Sequence, residues 1–543
     1  MSRTNEMEAL LIGIDAGCLS VFDRLAEEGR IPNIERLCTG GVCTPLLSQI
    51  PPWTPSAWPS LYTGVNPGKH GVTGFVGYDG YDWHVVSADD VEEHALWTLL
   101  DRHDMTSVVV NVPVTYPPDS FDGAIIPGFI GPEDPECYPP GTLEEVRREI
   151  GEYRVYPRYV RGDDGLTDDE KMAEYGRLVR MRGEAFRYLE ETYEPEFGFV
   201  QFQKTDTVFH EFDGDEEKVN TVYEAVDDQI GAILDRCAPK RVFLASDHGM
   251  GRYDGCEFRV NEFLREAGYV ETTNSGKGMP SWNPIRMELR EGNTVKKWEP
   301  TRTERIAAGV ARYGITAHRI GCVLERLRLL DVVKRVVPTN VARTANEQVD
   351  FERSRAYMRA RTELGIRINL EGREPAGVVP ADEYERVRSE LIEALKGVTA
   401  PDGEPVFEVV APREQFFDGA NVDRVVDVVT IPADFEYFLS EQVGCDQFEQ
   451  STVTWDHKME GVFVASGVGI DGTAELDEAH IFDVAPTVLA ALGLPYSTRM
   501  DGSVLPIVDD TGAQEYPPYA EAASETSDTD ADVERRLADL GYL

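Results

Sequence analysis

Apolar residues along this chain fall into short solid runs, separated by stretches in which they recur every three or four positions. The runs are "ALLIGID" (9–15), "TSVVVNVPVTYPP" (106–118), "EFGFVQFQKTD" (196–206), "KRVFLASDHG" (240–249) and "GVFVASG" (461–467). They are too short for helices and too uniformly apolar for strands with one wet face, so they read as strands buried on both faces. Helical spacing follows in "LSVFDRLAEEG", "IPNIERLC", 167–193, 216–236, 257–267 and "VAPTVLAALG". Buried strands alternating with helices predict an α/β fold with a mostly parallel sheet and helices on both faces. Ligands of such sheets gather beyond the carboxyl ends of the strands. Asp15, Asp206 and Asp247 each stand at or just past such an end.

The pattern changes near residue 270. Ile306, Val310, Tyr313, Ala317, Ile320, Leu324 and Leu327 keep 4/3 spacing, an apolar helix stripe that Gly314 interrupts. Residues 281–343 hold 13 Lys or Arg against 6 Asp or Glu, a net of +7. This reads as a helical insertion packed on the main body. A basic amphipathic stretch over 303–336 could instead touch a membrane surface, the less favoured reading. Strand-like "GIRINLEG" (365–372) and helix-like "ADEYERVRSELIEALKG" (381–397) follow. The expected organisation is a metal-binding α/β core begun over 1–269, a cap over 270–400, the rest of the core over 401–510, and an acidic tail with a short helix over 511–543.

The 543 residues carry 98 acidic and 53 basic side chains, a formal charge of −45. An acidic surface of this kind stays hydrated in concentrated salt, where repulsion is screened within about 3 Å at 1 M. A salt-adapted, archaeal-type cytoplasmic protein is the expectation. The charge argues against general nucleic-acid binding, since phosphate backbones demand basic patches. No apolar run approaches the ~18 residues of a transmembrane span, and the N-terminus lacks a signal-peptide pattern. Eight scattered cysteines without a C-x-x-C pair suggest free thiols.

The chemistry-bearing residues converge on those strand ends. Asp206 and His210 are spaced i, i+4 and share a helix face. Asp247 and His248 are adjacent after a strand, and His457 lies in "TWDHKMEG" before the last one. With Asp15 they make six carboxylate or imidazole groups from four distant parts of the chain. Oxygen and nitrogen ligands in this number suit two divalent ions, Zn²⁺ first and Mn²⁺ second. A single Asp at a strand end is ordinarily a helix cap, so the weight lies on the set.

Residues 51–72, "PPWTPSAWPSLYTGVNPGKHGV", complete the set. The order and contexts of 15, 54, 206, 210, 247, 248 and 457 resemble the alkaline phosphatase superfamily. The chain is more similar to its nucleotide pyrophosphatase and type I phosphodiesterase branch, where a threonine precedes T-G-x-x-P-x-x-H-G as Thr54 precedes "TGVNPGKHGV". The resemblance extends through "NVPVTYPP", "QKTDTVFH", "ASDHGMG", "AYMRARTELGIRINLEGREPAGVV" and "DVAPTVLAALGLP". It implies that Asp15, Thr54, Asp247 and His248 hold one metal and Asp206, His210 and His457 the other. It also implies that Thr54 attacks phosphorus, giving a phospho-threonine that water hydrolyses. The implied substrate is a small phosphodiester or nucleotide-like molecule. Thr54-Pro55 then reads as an N-cap with proline at N1, where the amides of Ser56 and Ala57 could face a phosphate. His70 reads as structural. Animal nucleotide pyrophosphatases commonly carry asparagine three residues after the threonine, whereas Ala57 stands here, which weakens the nucleotide assignment. "CTPLL" (43–47) lacks the arginine of a sulfatase motif. The competing readings are a phosphomonoesterase or a phosphotransferase of the phosphoglycerate mutase kind on the same core, and a non-catalytic binding protein keeping the fold.

Overall fold

The computed structural model describes residues 6–159, 165–273, 348–444, 446–474, 476 and 479–519. The apolar stripe at 306–327, the basic stretch 281–343 and the tail helix lie outside the described residues.

Eight strands form the main sheet: β1 (Ala9–Ile14), β2 (Gly41–Leu47), β3 (Ser107–Val110), β4 (Gly123–Ile126), β5 (Phe197–Phe202), β6 (Arg241–Ala245), β7 (Glu460–Gly467) and β8 (Ala479–His480). Their spatial order is β8-β2-β7-β6-β1-β5-β3-β4. Every pairing is parallel except the two made by β7, which runs against β2 and β6. All residues of β1, β3, β4 and β5 are buried, as solid apolar runs require of strands covered on both faces. The predicted strand over 106–118 ends early. Asn111 takes a positive φ of 65°, and its side chain turns to Gln201.

Helices Asp168–Tyr193 and Glu216–Cys237 pack together on one side. Thr167 and Glu170 form a capping box at the start of the first. Leu96–Asp101, Thr54–Thr63 and Val484–Ala491 form a second group. Strand β3 touches a member of each group, so the sheet lies between them.

A smaller antiparallel sheet is built from Ala356–Tyr357, Gly365–Ile368, Val428–Pro432 and Phe407–Pro412. It draws strands from both sides of residue 400. Buried Asp427 ties it internally, accepting from Arg373 at 2.7 Å, Tyr384 at 2.8 Å and the Ile368 amide at 2.7 Å. Asn421 reaches across to the Lys69 carbonyl at 3.0 Å and Asp418 accepts from Asn66 at 2.7 Å. Residues 66–69 are thereby held by the segment that joins the last two strands of this sheet. None of the six described cysteines forms a disulfide, as expected; Cys322 and Cys445 lie outside the described residues.

Candidate metal centre

Chain direction explains why distant residues meet. β1, β2, β5 and β6 run the same way, so Asp15, Ser48, Gln203 and Ser246 all emerge at one edge of the sheet. The reversed strand β7 begins at that edge, so His457, three residues before it, arrives there as well. His457 sits on a short strand, Trp455–Lys458, paired with Gly249–Arg252 just past His248.

One cluster is Asp15, Asp247 and His248, with ligand atoms within 4.8 Å of one another. Thr54 joins it: Oγ1 donates to Asp15 Oδ1 at 3.3 Å and lies 3.2 Å from His248 Nε2. Asp206, His210 and His457 form the other side. Asp206 Oδ1 is 3.2 Å from His210 Nε2 and 3.4 Å from His457 Nε2. The rings of His248 and His457 stack at 3.7 Å, which joins the two halves. All seven predicted residues are therefore together, and all but His210 are fully buried.

Each of these candidate ligands is held from behind by a hydrogen bond. His248 Nδ1 donates to the Gly249 carbonyl and His457 Nδ1 to the Pro52 carbonyl, both at 2.9 Å. A carbonyl only accepts, so the neutral form of each ring carries its lone pair on Nε2, on the side of the centre. Asp15 Oδ2 accepts from Gln201 Nε2 at 2.8 Å and Trp58 Nε1 at 3.3 Å. Asp247 Oδ1 accepts the Ala16 amide at 3.2 Å, while its buried Oδ2 lies 3.1 Å from His248 Nε2.

The charges are crowded. Burial first, then Asp247 and Asp206, hold the Asp15 carboxyl well above the usual carboxylate range. Burial pulls His248 down, but Asp247, Asp15 and Asp206 outweigh it and push the imidazole up to about 10. For Asp206, burial would raise the carboxyl, but His210 and His457 outweigh it and hold it well below its ordinary range. His457 is lowered, by burial and then by His248. A buried donor set of carboxylate oxygens and imidazole nitrogens, with the Asp15 carboxyl raised by burial and by its acidic neighbours Asp247 and Asp206, fits divalent cations.

Two expectations around Thr54 change. The helix begins at Thr54 itself, with Trp53 in the cap position and no side-chain cap bond. The hydroxyl is drawn to Asp15 and His248 instead. The Ser56 and Ala57 amides both donate to the Trp53 carbonyl at 2.9 Å. They close the first turn and do not point into the centre. His70 is structural as read: its Nε2 meets Ser60 Oγ at 2.9 Å, and its Nδ1 accepts the Val72 amide at 3.2 Å. "CTPLL" lies within β2.

Sequence reasoning missed Gln201, Trp58, Asp456 and Arg361. Asp456 groups with His210 and His457 within ligand reach, and Arg361 Nη1 stands 3.8 Å from it. Gln201 left a signal, a polar amide inside an otherwise apolar strand. Gly13 left another: a Cβ there would lie 2.5 Å from Trp58 Cη2, so only glycine lets Trp58 reach Asp15.

The family model for type I phosphodiesterase / nucleotide pyrophosphatase matches residues 9–325. A sequence search of curated proteins finds no match. Among solved structures, a four-substitution variant of the alkaline phosphatase PafA aligns with TM-score 0.52 at 16% identity, covering 92% of this chain and 98% of that one. Phosphonoacetate hydrolase from Sinorhizobium meliloti 1021, bound to phosphonoformate, aligns with TM-score 0.50 at 14% identity, covering 89% and 94%. These likenesses place the fold among alkaline-phosphatase-like α/β structures. No helix among the described residues is long and apolar enough to cross a membrane.

Proposed function

The chain belongs to the type I phosphodiesterase / nucleotide pyrophosphatase family, and from that premise we propose that it is a phosphodiester hydrolase with Thr54 as nucleophile at a two-metal centre. The observation that carries the reading is the placement of Thr54 Oγ1, 3.3 Å from Asp15 and 3.2 Å from His248, beside Asp206, which lies 3.2 Å from His210 and 3.4 Å from His457. Three carboxylates and a threonine alkoxide sum to four negative charges, which two divalent ions balance. Such ions, zinc by the mixed imidazole and carboxylate donors, would favour the alkoxide and neutralise charge on the phosphoryl oxygens.

The residues divide the remaining work. Asp15 and His248 hold the hydroxyl of Thr54 in one orientation, and Gln201 and Trp58 hold Asp15. The Thr54 amide makes no hydrogen bond among the described residues, so it is available to a phosphoryl oxygen. Thr54 attacks phosphorus, its Oγ1–P bond forms, and the bond to the ester oxygen breaks on the far side. That side is occupied by Asp206, His210 and His457. Water entering from there cleaves the phospho-threonine, returning the hydroxyl and releasing phosphate or its monoester. Ala57 offers no side-chain donor for phosphate, so the Thr54 amide would receive a non-bridging oxygen, with bound ions supplying the neutralising charge.

The test is hydrolysis of bis-p-nitrophenyl phosphate beside p-nitrophenyl phosphate by the full chain, reconstituted with Zn²⁺ or Mn²⁺ in concentrated KCl. The reading predicts chelator-sensitive turnover with preference for the diester. Preference for the monoester would favour the phosphomonoesterase alternative, and turnover of neither would remove the reading.

A further inference from the structure

Gln201 bridges three strands of the main sheet. It stands in β5, between β1 and β3, and its side chain reaches a neighbour on either side. Its Nε2 donates to Asp15 Oδ2, just past the end of β1, and its Oε1 accepts from Asn111 Nδ2, just past the end of β3, both at 2.8 Å. All three residues are buried, Gln201 and Asp15 completely. An amide has one end that donates and one that accepts, so the direction of this one decides what Asp15 meets.

Asn111 sets that direction. Its Nδ2 also donates to the Gln201 main-chain carbonyl at 3.1 Å. A carbonyl only accepts, so the end of the Asn111 amide turned to Gln201 is its NH2. The second proton of that NH2 meets the Gln201 side chain, which therefore turns its oxygen to Asn111 and its own NH2 to Asp15. The fixed polarity of one peptide carbonyl is passed through two amides to the carboxylate. With Oδ2 held by this donor and by Trp58 Nε1 at 3.3 Å, Oδ1 is left to face the Thr54 hydroxyl at 3.3 Å.

The chain bends to make the contact. Asn111 takes a φ of 65°, a left-handed conformation that asparagine adopts more readily than most residues. Three residues on, β-branched Val114 takes 56°, which such a residue keeps only where its surroundings impose it. The Asn111 amide donates to the Ile126 carbonyl at 2.9 Å and the Gly128 amide to that of Val112 at 3.1 Å. Tyr62, on the helix that Thr54 begins, donates to the Val114 carbonyl at 3.1 Å. One bend thus holds Asp15 through Gln201 and the Thr54 helix through Tyr62. We propose that Asn111 is a positioning residue of the centre: by fixing the direction of the Gln201 amide it fixes the Asp15 carboxylate for an ion and for the Thr54 hydroxyl. The proposal rests on the two-metal reading put forward above.

The experiment measures zinc affinity of the full chain by competition with a chelator, with urea unfolding of the zinc-free protein alongside. Asn111→Asp keeps the shape and tolerates the bend but offers only acceptors, so the Gln201 amide must reverse and set its oxygen against Asp15. One zinc site should weaken about 10- to 100-fold, as when the support of a ligand is lost. The added negative charge by itself would tighten cation binding, so the sign of the change separates the two effects. Asn111→Gly suits the positive φ and frees the Gln201 amide, which Asp15 then orients alone. The same site should weaken by only about 2- to 10-fold, as for one neutral hydrogen bond. In a Gln201→Met background, which keeps the length without the amide, neither substitution should lower zinc affinity further. Affinity unchanged or raised by Asn111→Asp, or losses of equal size with and without Gln201, would overturn the role. Should Asn111→Asp fail to fold, Asn111→Gly in the two backgrounds decides: a loss that needs Gln201 supports the role, and an equal loss or none overturns it. A wild type that binds two zinc ions without hydrolysing bis-p-nitrophenyl phosphate would remove the reaction and leave the positioning role standing. One that binds no zinc would remove both.

Discussion

Replacing Gly13 by alanine should damage the metal centre without touching a ligand. The new Cβ would lie 2.5 Å from Trp58 Cη2, 2.9 Å from Cζ3 and 3.0 Å from Gln201 Cγ. Trp58 and Gln201 are the two donors to Asp15 Oδ2. Trp58 cannot swing aside, because every residue of Thr54–Thr63 is buried, so the helix must shift. Thr54 lies one turn before Trp58 and moves with it. Overpacking costs about 1–3 kcal/mol, and loosening a carboxylate held by two donors adds about 1.5–3 kcal/mol for each bond to the charge that is lost. Disturbing such supports lowers metal affinity about 10- to 100-fold, and a displacement near 1 Å at the nucleophile is worth about 100-fold in kcat. The assays are urea unfolding, metal competition with a chelator, and turnover of the aryl diester. Gly176→Ala is the control. Gly176 is helical and a Cβ there meets nothing within 4 Å, so stability should rise by roughly 0.5–1 kcal/mol. A Gly13→Ala protein with wild-type stability and metal affinity would refute the reasoning.

Purified protein should hold close to two divalent ions per chain. Asp247→Asn or His210→Ala should remove one with the fold largely kept, as metal analysis and circular dichroism would show; full activity after exhaustive chelation would count against this. Burial pulls the His70 imidazole down to about 3, so its stabilising neutral form is fully present above the unfolded value near 6.5. It is lost as pH falls toward 3, by about 1.4 kcal/mol per unit. Between pH 7 and 5, His70→Gln should therefore lose about 2 kcal/mol less than the wild type in urea unfolding, and parallel losses would reject this. With a formal charge of −45, the melting temperature should climb with KCl into the molar range as repulsion is screened; a flat profile above 0.1 M would contradict that.

The strand ends and candidate ligands were legible because each carries a local signal: a buried run that stops at Asp15 or Asp247, or an i, i+4 pair at Asp206 and His210. Apolar patterning also predicts the sheet and its helices. Strand direction was not legible, since "GVFVASG" reads the same either way. Its reversal is what delivers His457 to the centre. The first turn at Thr54 was misread because capping rules treat the hydroxyl as a partner for amides, whereas Asp15 and His248 compete for it and win. Trp58 and Arg361 carried no signal, because their partners Asp15 and Asp456 lie 43 or more residues away in the chain. The smaller sheet was legible only as pieces, its strands being brought together by the Asp427 and Arg373 pairing.

The central claim is that Thr54 itself receives the phosphoryl group. The direct measurement is acid quenching of the metal-reconstituted enzyme during turnover, followed by mass analysis of the peptide containing residues 51–69. The account predicts a phosphate ester on Thr54 in the wild type, none in Thr54→Ala, and a fall in kcat of several orders of magnitude in that variant while both ions still bind. Near wild-type turnover by Thr54→Ala would contradict it, and water would then have to attack the substrate directly.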